Sequence, residues 1–559
     1  RPLLIILGAI ALFVIITFAL AAAALGTLNK RFNDLEKKLV TTTTPISTTT
    51  NSTPSGSLAS ILAETVRMQD LLIHLKQFES FARENGNTRA IGTAGFAQTV
   101  NYIENQLKTN SYSQLQVIRE TFPIQNFSIK GDPILSWSSN GKTENFTYST
   151  NLSRTDFTYA NYTAAINLTI YELVQVKNYG CNKDDYANTT GKAVLIMAGG
   201  TCTYAEKGEL AATKNVSALL FYNHGSTTSS LAPATFRLRQ ANILPALSLS
   251  YAAGRSLFNL LNSSNSVNVT LEIQRENYGT FDVHNICAHT VDGNSTKTIM
   301  VGSHSDSVPA GPGINDNGSG SAANLVLALN LARLYSSNSY SKYPYRIRFC
   351  WWGGEEIGLT GAIYHVQQAQ NSSTPDDLKL FNNLINLNYD MLGSPNYIFG
   401  IYNGSSAKAG TSQKAINGSI RVSEAFRNWF NSQNLPWDYT DFSGRSDYGP
   451  FLAAGIAAGG LFSGGDGTKT ETQRDIYEAK LGQGYGGLPG ATYDPCYHKT
   501  CDTLKNIDQF GYLKMVQAAA YMLEFLGNQT DLVTWLYPDG RPTQIQLPED
   551  YFPNSDYYV

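Results

Sequence analysis

The sequence predicts an α/β/α sandwich with a mostly parallel central sheet, a smaller α/β module inserted into it, and an apolar helix ahead of both. Three observations carry this. From about residue 280, strand-like and helix-like segments alternate, the pattern of a parallel sheet covered on both faces. Between about 140 and 278 the chain changes to short β-branched runs separated by Asn, Gly and Ser, the mark of a separate module. Residues 3–26 carry no charged side chain.

That first segment, "LLIILGAIALFVIITFALAAAALG", is long enough to cross a bilayer of roughly 30 Å as a helix. A cleaved signal peptide has a shorter apolar core, and a core helix rarely stays apolar on every face. Lys30, Arg31, Lys37 and Lys38 follow it, and then the Thr/Ser/Pro stalk "TTTTPISTTTNSTPSGS" (41–57), which buries too little to fold. Residues 1–57 are therefore expected to anchor the chain in a membrane with the rest outside (type II), or to pack with copies of themselves in a surface filament or homo-oligomer. Sixteen Asn-x-Ser/Thr sequons suit a glycoprotein of the cell surface. With 41 basic and 44 acidic residues and a net charge of −3 over 559 residues, nothing favours a nucleic-acid partner.

Residues 58–139 read as the first part of a main domain. "LASILAETVRMQDLLIHLKQFESFARENG" and "TAGFAQTVNYIENQLK" carry helical spacing on either side of the break "GNTRAIG", and "QLQVIRETFPI" alternates like a strand. Residues 140–278 form the inserted module, with strands in "KAVLIMAG", "ALLFYNHG" and "LPALSLS" and a helix in "YAEKGELAATKN". Residues 279–535 complete the main domain with strand "TIMVGSH", helix "GSAANLVLALNLARLY" and strands "RIRFCWWGG" and "LINLNYDML"; 536–559 is a tail. Six cysteines allow 15 pairings. Cys496 and Cys501 are close enough to close a small loop, Cys181 and Cys202 make a second pair, and Cys287 and Cys350 stay unassigned. Disulfides fit an oxidising compartment.

Ligands of parallel sheets bind beyond the carboxyl ends of the strands, and the ionisable residues cluster there. His304 and Asp306 end one strand, and Asp316 follows on the Gly/Pro-rich loop of "GSHSDSVPAGPGINDNGSG". Glu355 and Glu356 end the next strand in "WWGGEEIG", Asp390 ends another in "NLNYDMLG", and His498 lies inside the Cys496–Cys501 loop. Imidazole and carboxylate donors suit Zn²⁺. Two His and three carboxylates can hold two zinc ions if one carboxylate bridges them, leaving another to act as general base.

These motifs, with "GRSDYGPF" and "YHKTCDT", resemble the co-catalytic di-zinc aminopeptidases of the aminopeptidase S and aminopeptidase Y type, over most of 58–530. The resemblance implies that His304 and Asp390 bind one zinc, Glu356 and His498 the other, and that Asp316 bridges them. It makes Glu355 the general base, Asp306 the carboxylate orienting His304, and Tyr497 a hydroxyl aimed at the developing oxyanion. Arg445 lies where relatives hold the substrate's terminus, and is equally suited to a structural ion pair. A cis peptide is expected at Asp316–Asn317, and the sequon at Asn317 is expected to stay unmodified. The inserted module resembles a protease-associated domain, with Cys181 and Cys202 at matching positions.

The implied activity is removal of N-terminal residues from peptides by an extracellular zinc enzyme, the free amine facing Glu355 and Asp390. Phe442, Tyr448, Phe451 and Phe462 are candidates for an apolar side-chain pocket. Two alternatives stay open: a zinc carboxypeptidase, which shares the zinc site, and a structural, adhesive or filament-forming protein built on a peptidase fold.

Overall fold

The computed structural model describes residues 58–543 and 547, apart from 150, 152–153, 201, 203, 226–228, 235, 237, 239–241, 264–265, 338 and 408–410. The apolar segment, the stalk and most of the tail lie outside the described residues. Among the described residues no helix is long and apolar enough to cross a membrane.

The main domain is built on an eight-stranded sheet in the order Leu115–Ile129, Arg275–Thr290, Tyr345–Trp352, Asn294–His304, Asn383–Tyr389, Ala457–Phe462, Gly400–Asn403 and Asp438–Asp441. Its four inner strands, Tyr345–Trp352 to Ala457–Phe462, run parallel. Three of them are buried along almost their whole length and Asn294–His304 over its last seven residues, which is why they read as apolar runs and not as alternating ones. The chain leaves Asn294–His304 for the neighbour on one side and later returns to the neighbour on the other. That reversal opens a crevice at the carboxyl ends of these strands.

Helix Gly320–Tyr335 is predominantly apolar and buried on nearly every face, since it lies within the core instead of on its surface. Helix Met68–Glu84 is amphipathic: Leu71, His74, Leu75, Phe78 and Ala82 face inward at helical spacing. The Thr93 hydroxyl caps Ala94–Asn110 by accepting the Phe96 N–H. The Asp508 carboxylate does the same for Gln509–Gly527 through Gly511.

The strands Leu115–Ile129 and Arg275–Thr290 pair as a long antiparallel arm that carries the chain out of the main domain and back. Between them lies a second eight-stranded sheet, formed by residues 134–273, with helices Tyr204–Thr213 and Tyr251–Ser263 and its own apolar core. The cysteines pair as Cys181–Cys202, Cys496–Cys501 and Cys287–Cys350, the last joining residues opposite one another on adjacent antiparallel strands.

Candidate metal centre and active site

The strand ends bring together every ionisable residue singled out in the sequence. His304 is 1% exposed, and its Nε2 stands 3.3 Å from Asp316 Oδ1, 3.4 Å from Asp390 Oδ1 and 3.9 Å from Glu355 Oε2. The other oxygen of Asp316 faces a different imidazole, with His498 Nε2 3.1 Å from Asp316 Oδ2 and 3.2 Å from Glu356 Oε2. Asp316 thus spans two nests of donors, His304 with Asp390 on one side and His498 with Glu356 on the other.

Each donor is aimed by a neighbour. The Asp306 carboxylate lies 3.5 Å from His304 Nδ1 and accepts the backbone N–H groups of Glu355 and Glu356 at 3.2 and 3.3 Å, so it ties two strand ends together. Asp390 Oδ2 accepts the Ser446 hydroxyl at 2.6 Å, and Ser446 in turn accepts from Asn388 Nδ2. The Asp502 carboxylate accepts the N–H groups of Asn315 and Asp316 at 2.9 and 3.0 Å. Asn506 and Asn315 donate to Asp494, extending this buried network. Fully buried Arg89 donates to the carbonyls of Ser305, Pro312 and Gly313 and clamps the loop from behind.

The glycines of that loop are explained by close approach. A Cβ on Gly313, whose φ is +60°, would lie 2.2 Å from the Asp316 carbonyl oxygen, and one on Gly320 would lie 2.2 Å from the Tyr389 carbonyl oxygen. The Asp316–Asn317 peptide is cis. Asn317 is fully buried; its Nδ2 donates to the Tyr389 carbonyl, and its Oδ1 accepts the N–H groups of Gly320 and Met391.

The Tyr497 ring stacks on His498 with centroids 3.9 Å apart, and its hydroxyl accepts from Arg445 Nη2 at 3.2 Å. Arg445 Nη1 lies 3.3 Å from Asp466. Its guanidinium thus joins Asp466 to Tyr497 at the cavity wall, the ion pair being one of the two roles the sequence left open.

Negative charge is in excess here. Burial pushes the Glu355 carboxyl well above the usual carboxylate range; His304 opposes the shift, while Glu356, Asp447 and Asp390 add to it. Burial and the Asp316 charge raise Glu356 to about 7. Burial disfavours both imidazolium ions, yet Glu355 and Asp390 hold His304 well above its ordinary value, and Glu356 and Asp316 raise His498 to about 10. Burial also pushes Asp316 upward, but hydrogen bonds from His304 and His498 keep it well below the usual range. Asp390 Oδ1 and Glu356 Oε1 are buried without a hydrogen-bond partner. Orphaned carboxylate oxygens beside imidazole nitrogens are the donor chemistry of a cation-binding nest. Ligand atoms of His304, Asp316 and Glu356, and those of His304, Glu355 and Asp390, all lie within 4.8 Å of one another in each group.

Several participants escape sequence reasoning. Asp447 is fully buried with neither carboxylate oxygen hydrogen-bonded, and burial raises it well above the usual range. It stands with Ser446 in "GRSDYG", a motif read for Arg445 and Tyr448. Arg89 lies in "GNTRAIG", read as a helix break. The carboxylates Asp494 and Asp502 flank the His498 loop without announcing that they hold the Asp316 loop.

The centre opens into a cavity of about 630 Å³ whose apolar wall includes Met391, Ile398, Tyr402, Tyr448 and Phe462. Phe442 and Phe451 do not line it. Phe442 stacks on Tyr402 from behind, and Phe451 packs against Trp352 and His365 in the core.

The model of peptidase family M28 matches residues 285–523, and that of the PA domain matches 169–257. The chain is 33% identical to the probable leucine aminopeptidase 2 of Aspergillus fumigatus over 482 residues, covering 85% of this chain and 86% of that protein. It is 32% identical to an aminopeptidase of Pseudomonas aeruginosa over 493 residues, covering 86% and 84%. Among solved structures, an aminopeptidase from Aneurinibacillus sp. strain AM-1 shares the fold with a TM-score of 0.60 at 21% identity, covering 88% of this chain and 98% of that one.

Proposed function

The chain belongs to peptidase family M28, as a metallo-aminopeptidase with an inserted PA domain, and from that premise we propose that it removes apolar N-terminal residues from peptides outside the cytoplasm. One observation carries the mechanism: Asp316 offers one oxygen toward His304 and the other toward His498, while Glu355 stands 3.9 Å from His304, beyond hydrogen-bond reach.

The donor set fits two zinc ions: His304 and Asp390 would hold one and His498 and Glu356 the other, with Asp316 shared between them. Such ions, when bound, polarise the scissile carbonyl and lower the pKa of the attacking water. The remaining steps fall to side chains. Asp306 fixes the ring of His304 and spaces Glu355 from Glu356. Glu355 takes the proton of the attacking water and returns it to the leaving amine nitrogen. Its burial favours holding that proton between the two transfers. Tyr497 directs its hydroxyl at the carbonyl oxygen as charge grows there, and Arg445 holds that hydroxyl in place.

A free N-terminal amine is matched by Glu355 and Asp390, and an apolar first side chain by Met391, Ile398, Tyr402, Tyr448 and Phe462. A carboxypeptidase needs an unengaged cation for the substrate's terminus. Among the described residues of the cavity wall Arg445 is the one permanent cation, and it pairs with Asp466. The extracellular placement, through an apolar N-terminal segment in a membrane or in a filament, rests on that segment, the sequon density and three disulfides. Labelling of intact cells with an impermeant amine reagent tests it.

The deciding assay is hydrolysis of a leucyl chromogenic amide by the protein as isolated, after chelation, and after zinc is restored, with metal content measured in parallel. Activity that disappears with chelation and returns with zinc supports the reading. A zinc-loaded protein inert toward N-terminal substrates overturns it in favour of a carboxypeptidase or a structural role.

A further inference from the structure

Two sequons lie close to the catalytic centre, one beside Asp316 and one on the cavity wall, and the fold treats them oppositely. Asn317 is sealed inside, both ends of its amide consumed by backbone partners. Asn161, in the sequon Asn161–Tyr162–Thr163, is exposed and belongs to the inserted module, yet it lines the cavity that also holds Asp316, Glu355, Glu356 and His498.

The turn that presents Asn161 is held firmly. Its N–H donates to the Phe236 carbonyl, and its own carbonyl accepts from Leu238, each at 2.9 Å. Tyr162 is buried with a φ of 62°. The Thr163 hydroxyl accepts the Ala246 N–H at 2.8 Å, and the Thr163 carbonyl accepts Arg275 Nη1 at 2.9 Å. Arg275 lies on the arm joining the two sheets, its guanidinium 4.2 Å over the Phe127 ring. The turn is therefore tied to the arm as well as to its own module. Among the described residues no hydrogen bond engages the Asn161 side-chain amide.

We propose that Asn161 carries an N-linked oligosaccharide that stands at the mouth of the catalytic cavity and acts as a size filter, admitting short peptides and obstructing long ones. Transfer from a lipid-diphosphate-linked donor joins the anomeric carbon of the first sugar to Asn161 Nδ2. The amide gives up one proton, and the lipid diphosphate leaves. Thr163 is fully buried in the folded chain, so transfer precedes closure of this turn. A bulky, hydrated chain at a fixed point of the rim costs a small substrate nothing. A long one must confine the glycan in order to enter, and pays for it in conformational entropy. A cavity of about 630 Å³ itself suits a few residues of peptide. This rests on the extracellular aminopeptidase reading above.

The test uses the full chain made in a eukaryotic secretory host, as wild type and as Asn161→Gln. Mass spectrometry of the peptide containing residue 161 reads occupancy, and kcat/KM is measured on leucyl amide and on a long peptide with N-terminal leucine. Expected are an occupied Asn161 and, in Asn161→Gln, a rise of roughly threefold or more on the long peptide with no change on the amide. Wild type made without glycosylation should match Asn161→Gln, which assigns the effect to the sugar and not to the amide. A bare Asn161, or an unchanged ratio between the two substrates, overturns the proposal. An occupied Asn161 on a chain that cleaves neither substrate would overturn the aminopeptidase reading, and the filter with it, while establishing the modification.

Discussion

Asp306 accepts the backbone N–H of Glu355 at 3.2 Å and so fixes where one strand end stands relative to the next. The same carboxylate accepts the N–H of Glu356 and faces His304 Nδ1, so one buried charge positions the proposed base and two proposed metal donors. Asp306→Asn keeps the shape but turns an N–H donor toward one of these partners. Zinc affinity should fall by roughly 10–100-fold, read by competition with a chromophoric chelator. Unchanged affinity would show that the strand ends hold their geometry without the charge.

Glu355 is assigned the proton, not the metal. Glu355→Gln should lower kcat by about 10²–10⁴-fold while KM changes little and zinc content stays at the wild-type level. Loss of metal together with activity would instead make Glu355 a ligand, a grouping its place beside His304 and Asp390 also permits.

How far this centre is legible in the sequence depends on what kind of residue carries each part. His304, Glu355 and Asp390 follow apolar runs directly, so assigning the strands places them at strand ends. Asp447 gives no such sign, because its importance lies in complete burial without a partner, and "GRSDYG" draws attention to Arg445 and Tyr448 instead. Arg89 is harder still. Its three acceptors are carbonyls 216 to 224 residues away, and backbone oxygens leave no trace in side-chain pattern. The aromatic wall divides for a similar reason. Tyr448 and Phe462 line the cavity, whereas Phe442 and Phe451 fall behind it, a distinction set by packing against Tyr402 and Trp352.

Arg445 and Tyr497 should behave as one unit. Tyr497→Phe removes the hydroxyl and is expected to cost about 10²-fold in kcat if that group meets the oxyanion. Arg445→Met should cost a comparable amount alone and little more in the Tyr497→Phe background, since its contribution passes through the hydroxyl it holds. Strictly additive losses would show that Arg445 acts on substrate directly.

His74 supplies a pH dependence remote from the metal centre. It is 7% exposed on helix Met68–Glu84, its Nδ1 2.8 Å from the Tyr102 hydroxyl. Burial lowers its pKa to about 4, with Asp70 opposing. An unfolded histidine titrates near 6.5, so between these values the unfolded chain binds a proton that the folded chain refuses. The contribution is therefore complete above pH 6.5 and disappears as pH falls toward 4. The difference corresponds to roughly 3 kcal/mol at most. Urea midpoints measured from pH 7 to pH 4 on wild type and His74→Gln isolate this residue from every other group that titrates in the range. The wild type should lose more stability than the variant, with the gap opening below pH 6.5. Parallel curves would mean that His74 is protonated inside the fold, with Tyr102 as its acceptor.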